Sequence, residues 1–231
     1  VSPVRTDWAS SDAAAAVSFI VNALLAFVFS SATVLSGCSP FGIAYTAACS
    51  RMFAIPSALG AAVGYIISFD FNVALKYLAI LVVILLLRGV FVSKSVEMNS
   101  FFSMSIAFFS ATFCGVIYIL ISKSDGYAFM LTVSEALLAG GLAFFFYRTL
   151  KRIFPFCKLS SLGNMDMISL GISICAMIAA MASFEAFGYS IGTSAAILLI
   201  LAVGMQSTRM ACIAAVMGAA ALTLATPEKA L

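Results

Sequence analysis

Glu135-Ala-Leu-Leu-Ala-Gly-Gly-Leu-Ala-Phe-Phe-Phe-Tyr-Arg148 runs directly into Thr149-Leu-Lys-Arg-Ile-Phe-Pro-Phe-Cys-Lys158. An apolar stretch thus ends abruptly in Arg148, Lys151, Arg152 and Lys158. Apolar helices closed at one end by clustered Lys and Arg are membrane spans whose basic end stays in the cytoplasm. With that end fixed, the side of every other loop follows by counting spans. The reading is an integral membrane protein with its widest basic loop, residues 148–163, on the inner side.

Composition agrees. Apolar residues make up 64% of the 231-residue chain and charged residues 9%, against roughly 45–50% and about 25% in soluble domains. So few charges cannot cover a water-soluble fold of this size, so lipid must cover much of it. The net charge of +3 comes from loops and marks a cytoplasmic face, not a nucleic-acid site. Cys38, Cys49, Cys114, Cys157, Cys175 and Cys212 are scattered, with no CxxC and no histidine. Such cysteines act as small packing residues, so neither a disulfide framework nor a metal or cofactor site is expected.

Residues 1–12 are read as a polar cytoplasmic tail, residues 13–225 as one helical membrane domain and residues 226–231 as a truncated end. The domain is all-α, with about seven to nine helical pieces. Ala13–Leu35 is long enough to cross a hydrocarbon core of roughly 30 Å. Phe41–Phe53 and Ile55–Phe69 are shorter and are read as re-entrant, or buried among longer neighbours. Gly60 and Gly64 form a GxxxG spacing that allows close helix packing. Asn72–Phe91, Phe101–Ser122 and Tyr127–Tyr147 follow as spans. Gly163-Asn-Met-Asp166 offers N-cap chemistry for Met167–Phe187. Ile191–Met205 and Met210–Ala225 close the chain.

With the basic loop inside, Arg5, Arg51, Arg88, Lys94 and Arg209 also fall inside, whereas Lys123 and Lys229 fall outside. That asymmetry places the N-terminus in the cytoplasm. An internal repeat is also visible: Gly37-Cys-Ser39, Gly42 and Gly60 resemble Gly188-Tyr-Ser190, Gly192 and Gly218. It gives units 13–150 and 165–225, the second incomplete, unless Gly/Ala-rich helices simply look alike.

Four ionisable groups, Asp70, Lys76, Glu135 and Glu185, sit within or beside apolar runs. Charge at membrane depth demands a partner or a wet cavity. Lys76 and Glu135 lie on different spans at similar depth, so a charge pair would account for both. The pair is read as a clamp between spans, with a proton or ion relay as the alternative. The basic residues 148–158 serve as topology markers or as a site for anionic lipids. Enzyme readings fail for want of side chains: no histidine, no clustered carboxylates and no P-loop.

Ser39-Pro-Phe-Gly-Ile-Ala-Tyr-Thr-Ala-Ala48 followed by a Gly/Ala-rich helix, the stretch Glu135–Tyr147, and Leu159 through Asp166 to Leu170 resemble the N-terminal membrane region of stage II sporulation protein E. The resemblance covers nearly the whole chain. It implies a region of about ten spans that anchors a regulatory segment and a metal-dependent Ser/Thr protein phosphatase at the asymmetric division septum. There the family interacts with the tubulin-like division protein and dephosphorylates an anti-sigma-factor antagonist. The phosphatase is missing from this chain, and Asp125-Gly126 is a turn, not a stand-in for its metal-binding aspartates. The resemblance therefore implies anchoring and localisation without catalysis. Expected partners are the bilayer, anionic lipids, the bacterial division machinery and a second copy of the chain, with no nucleic acid. A small-solute transporter or channel built from repeated broken helices, with Ser39, Ser190 and Thr193 lining a site, is the alternative.

Overall fold

The structure, a computed structural model, describes residues 7–34, 37–93, 99–122, 126–153, 163–186, 189–204, 216 and 218–219. Within them the chain forms eight α-helices: α1 (Asp7–Ser30), α2 (Pro40–Ala48), α3 (Ala54–Ser68), α4 (Phe71–Ser93), α5 (Ser100–Ser122), α6 (Gly126–Ile153), α7 (Asn164–Met181) and α8 (Ile191–Gly204). A 3-10 turn, Arg51–Phe53, leads into α3. Two-residue strands β1 (Glu185–Ala186) and β2 (Tyr189–Ser190) pair antiparallel before α8. The fold is an all-α polytopic membrane protein.

Five helical segments are long and apolar enough to cross a bilayer: Arg51–Ser68, Phe71–Phe91, Ser100–Ser122, Gly126–Lys151 and Asn164–Met181. At most 39% of any of these is buried within the protein. Ile66, Ile67, Phe71, Leu86, Leu120 and Ile121 are each more than half exposed. Apolar surface on that scale is stable only against hydrocarbon, where backbone hydrogen bonds must be satisfied within each helix.

Several element boundaries depart from the sequence-based expectation. Residues 7–12 are helical and extend α1 back to Asp7. At its other end α1 stops at Ser30. There Ser30 Oγ and Ser31 Oγ each donate 2.9 Å bonds to the Phe27 carbonyl, competing with continuation of the helix. Phe41–Phe53 resolves into α2 plus the 3-10 turn, and that turn extends α3 to the 18 residues of Arg51–Ser68. The segment expected as a re-entrant Ile55–Phe69 is thus long enough to span. Met167–Phe187 becomes α7, ending at Met181, and the β1–β2 hairpin. Most of Met210–Ala225 lies outside the described residues, as do Arg5, Lys94, Lys123, Lys158, Arg209, Lys229 and the end at 226–231.

Gly60 and Gly64 face α1. A Cβ on Gly60 would run into the Ala23 carbonyl, and one on Gly64 into the Ser30 side chain. The backbones of α1 and α3 therefore meet without intervening side chains, the arrangement that small residues at this spacing permit. Together with α4, α5 and α6 these helices enclose α2, all nine residues of which are buried.

The enclosed helix as candidate functional site

Pro40 occupies the first turn of α2, where its missing N–H costs nothing and its fixed φ suits the helix. The helix is only about 13 Å long, too short to reach both faces of a bilayer. Its packing surface is small: Gly42, Ala44, Ala47 and Ala48 alternate with Phe41, Ile43 and Tyr45. Gly42 permits the closest approach, since a Cβ there would lie 2.6 Å from the Tyr65 hydroxyl. Phe29, Tyr45 and Phe146 pack their rings at 5.0–6.2 Å between centroids, tying α1, α2 and α6 together.

A buried helix leaves orphan N–H groups at its start and orphan carbonyls at its end. Both ends of α2 are answered by side chains from the surrounding helices. At the N-terminal end the Ser39 N–H is shared between Tyr77 Oη at 3.0 Å and Glu135 Oε1 at 3.2 Å. Tyr77 donates in turn to Glu135 Oε1 at 2.5 Å. Tyr65 Oη donates to the Ser39 carbonyl, and Ser39 Oγ to the Ser30 carbonyl. Lys76 Nζ stands 2.6 Å from Glu135 Oε2, with the two side chains 10% and 2% exposed. The Tyr65 and Tyr77 rings stack at 4.4 Å and 8°, closing the cluster with aromatic surface. A carboxylate near the start of a helix is electrostatically favoured. Here the ammonium neutralises it, so the end as a whole carries no net charge.

The C-terminal end is held differently. Arg88 donates from Nη1 to the Thr46 carbonyl at 2.6 Å and to the Ala47 carbonyl at 3.4 Å, and from Nη2 to the Cys49 carbonyl. Ser103 Oγ adds a 2.7 Å bond to the Ala47 carbonyl. Arg88 is 5% exposed, and among the described residues no carboxylate forms an ion pair with it. Its charge is balanced by carbonyl dipoles at the negative end of the helix. A planar fork of donors suits this task, because one guanidinium reaches several carbonyls. Lys76, Tyr77 and Arg88 all lie on α4, with about 16 Å of helix between Tyr77 and Arg88. The fourth helix thus runs alongside α2 in the same direction and holds both of its ends.

The sequence singled out Lys76 and Glu135, and their side chains meet. It set Arg88 at the end of its span, among the loop cations. In the structure α4 continues to Ser93 and Arg88 is an interior residue. The signal was present: Gly89-Val-Phe-Val92 carries the apolar pattern onward past the arginine. Tyr65, Tyr77 and Asn22 are further members that sequence reasoning did not find, and Ser39, expected only as a lining residue of a transport site, belongs to the N-terminal cluster instead. Asn22 accepts from Tyr45 Oη at 2.9 Å.

Of the basic stretch, Arg148 pairs through Nη2 with Asp166 Oδ1 at 2.9 Å, joining the end of α6 to the start of α7. Asp166 thereby holds an ion pair, while the N-cap position of α7 is Gly163 and makes no side-chain cap. Lys151 is exposed and lies over the Tyr147 ring at 5.8 Å. Arg152 is within α6, and Lys158 is outside the described residues. Among the described residues there is no group of three metal-ligating side chains. Cys38, Cys49, Cys114 and Cys175 are free thiols. The single buried side-chain polar atom with no hydrogen-bond partner among them is Ser110 Oγ. The buried polar groups at the two ends of α2 are committed to holding helices together.

Neither the curated proteins nor the solved structures include a match to this chain. A family model does match it, over residues 5–229, and that model describes the N-terminal domain of SpoIIE. With nearly the whole length covered, the chain belongs to the SpoIIE N-terminal domain family.

Proposed function

We propose that this chain is the membrane-anchoring and localising region of a sporulation-specific Ser/Thr protein phosphatase acting at the asymmetric division septum, and that it performs no catalysis itself. In this reading the N-terminus and the basic end of α6 face the cytoplasm, where the phosphatase would lie. The family match over residues 5–229 carries the proposal. The enclosed helix supports it: an anchor must present a fixed frame to its partners, and α2 is gripped at both ends by five neighbouring helices.

A transporter built from broken helices would leave those helix ends to a solute or ion. In this chain Glu135 with Lys76 and Tyr77 occupies one end, and Arg88 the other. That occupancy favours the anchor and the clamp reading of the Lys76–Glu135 pair. A fluorescent fusion of the chain, expressed in a sporulating bacterium, tests the proposal. Enrichment at the asymmetric septum is expected. Even distribution around the cell membrane would remove the localising role, and solute uptake by chain-loaded vesicles would replace it with transport.

The same reading takes residues 13–225 as one membrane domain with related units 13–150 and 165–225. Support comes from a recurrence: α1, an antiparallel bridge between Val34 and Cys38, then α2; and α7, the β1–β2 hairpin, then α8. Superposing α7–α8 on α1–α2 in an experimental structure checks it, and an opposite hand of connection would end it.

A further inference from the structure

A cavity of about 430 Å³ opens beside the C-terminal end of α2, lined by Ala48, Cys49, Ser50, Arg51, Phe53 and Arg88 on one side. Asn22, Tyr147, Leu150 and Lys151 complete it. Three of these side chains are cations, and no acidic residue is among them. Arg88 is committed to carbonyls at the inner wall, whereas Arg51 and Lys151 are exposed. Among the described residues neither forms an ion pair. Arg51 also heads the helical run into α3, where the helix dipole disfavours a cation unless an anion joins it. Ser50 just before it makes no side-chain cap.

Phe53, Leu150 and Ala48 give the same cavity apolar walls. On either side of Phe53 and Ala54, Met52 and Ile55 are 67% and 66% exposed, as apolar residues turned to lipid would be. Cations above an apolar wall that runs out into lipid-facing surface match a molecule with a phosphate at one end and hydrocarbon at the other. We infer that this cavity binds a phosphate-bearing anion, held between Arg51 and Lys151, with Arg88 setting the positive potential of its floor. The ligand is an anionic phospholipid headgroup or a soluble phosphate. The inference goes beyond anchoring and does not depend on it, since its readout is binding and not position in the cell.

The whole chain, purified in a neutral detergent, is offered phosphatidylglycerol, phosphatidylcholine or inorganic phosphate, and bound adducts are counted by native mass spectrometry. Phosphatidylglycerol is expected to bind in preference to phosphatidylcholine. The double variant Arg51→Gln/Lys151→Gln should lose that binding by roughly tenfold or more. Arg152→Gln/Lys158→Gln removes equal charge from the adjoining stretch and should keep it. Competition by millimolar inorganic phosphate would assign the site to a soluble anion, and no competition to the lipid. Equal binding of both lipids, or equal loss in both double variants, would overturn the inference. Thermal unfolding of each variant in the same detergent identifies any that fails to fold. In that event Arg51→Gln and Lys151→Gln are tested singly, and wild-type affinity in both would equally overturn it.

Discussion

The two ends of α2 face the same physical problem and solve it with opposite chemistry. At Ser39 a carboxylate answers the N–H and an ammonium neutralises the carboxylate, with stacked tyrosines sealing the cluster. At Cys49 an arginine, helped by Ser103, answers the carbonyls, and the cavity with Arg51 and Lys151 lies beside it. A sealed end needs charge balance from within, because an uncompensated buried ion costs several kcal/mol. An end beside a cavity can keep a net positive charge, because water or a bound anion can approach it. The contrast separates a structural lock from a surface open to a ligand.

The largest effect is expected at the arginine. Replacing Arg88 with Met removes the donors of the Thr46 and Cys49 carbonyls and leaves Ser103 to serve Ala47. At about 1–3 kcal/mol for each orphaned buried group, the loss should reach about 4 kcal/mol and abolish a folded, monodisperse chain in detergent. Arg88→Lys should recover only part of it, since one ammonium cannot span the three carbonyls. Size-exclusion profiles of the two variants check this. A monodisperse Arg88→Met protein with wild-type melting would show that α2 does not depend on its C-terminal clamp.

Next comes the paired end. Glu135→Gln strands the Lys76 ammonium in a site where it is 10% exposed, at a cost of about 3 kcal/mol. Lys76→Met with Glu135→Gln removes the ion pair as a unit, and the double variant should melt above the Glu135→Gln single variant. That coupling is the mark of a clamp. A Glu135→Gln chain that folds and melts normally would instead fit a relay.

How much of this was readable in the chain depended on what each residue needed. Charges at Lys76 and Glu135 drew notice because so few charged residues interrupt the apolar runs, leaving few alternatives for pairing. Arg88 looked like a loop marker because its partners are backbone carbonyls, which every residue carries and no sequence pattern distinguishes. Tyr65 and Tyr77 drew no notice among the aromatics of the apolar runs, yet the fold brings both hydroxyls to Ser39. The helical architecture and the spans Phe71–Phe91, Ser100–Ser122 and Gly126–Lys151 were legible from hydrophobic length alone. The 3-10 turn at Arg51 was not, because Pro56 appeared to divide the segment when it in fact occupies the first turn of α3.

The packing seam beneath this arrangement should yield a smaller effect. Gly60→Leu must push α1 and α3 apart, since even a Cβ meets the Ala23 backbone. Overpacking of this kind costs about 1–3 kcal/mol. Neither Gly60 nor Ala23 lines the cavity, so a lowered melting temperature with the preference for anionic lipid intact is expected. If lipid binding is lost as well, the cavity depends on how α1 sits against α3, and the open end of α2 is less independent of the lock than its geometry implies.

The smallest effect belongs to the outermost charges. Arg148 is 30% exposed where it meets Asp166, so water and salt weaken the pair, and surface pairs contribute about 0–1 kcal/mol. Asp166 is only 9% exposed, which puts Arg148→Gln near the top of that range and makes the effect fade as salt is added. Melting curves at low and high ionic strength distinguish this pair from the one at Ser39. The Arg148–Asp166 increment should shrink in 1 M salt, while the Lys76–Glu135 increment, shielded by Tyr65 and Tyr77, should hold. If both fade together, water and salt reach the N-terminal end of α2, and that end is not a sealed lock.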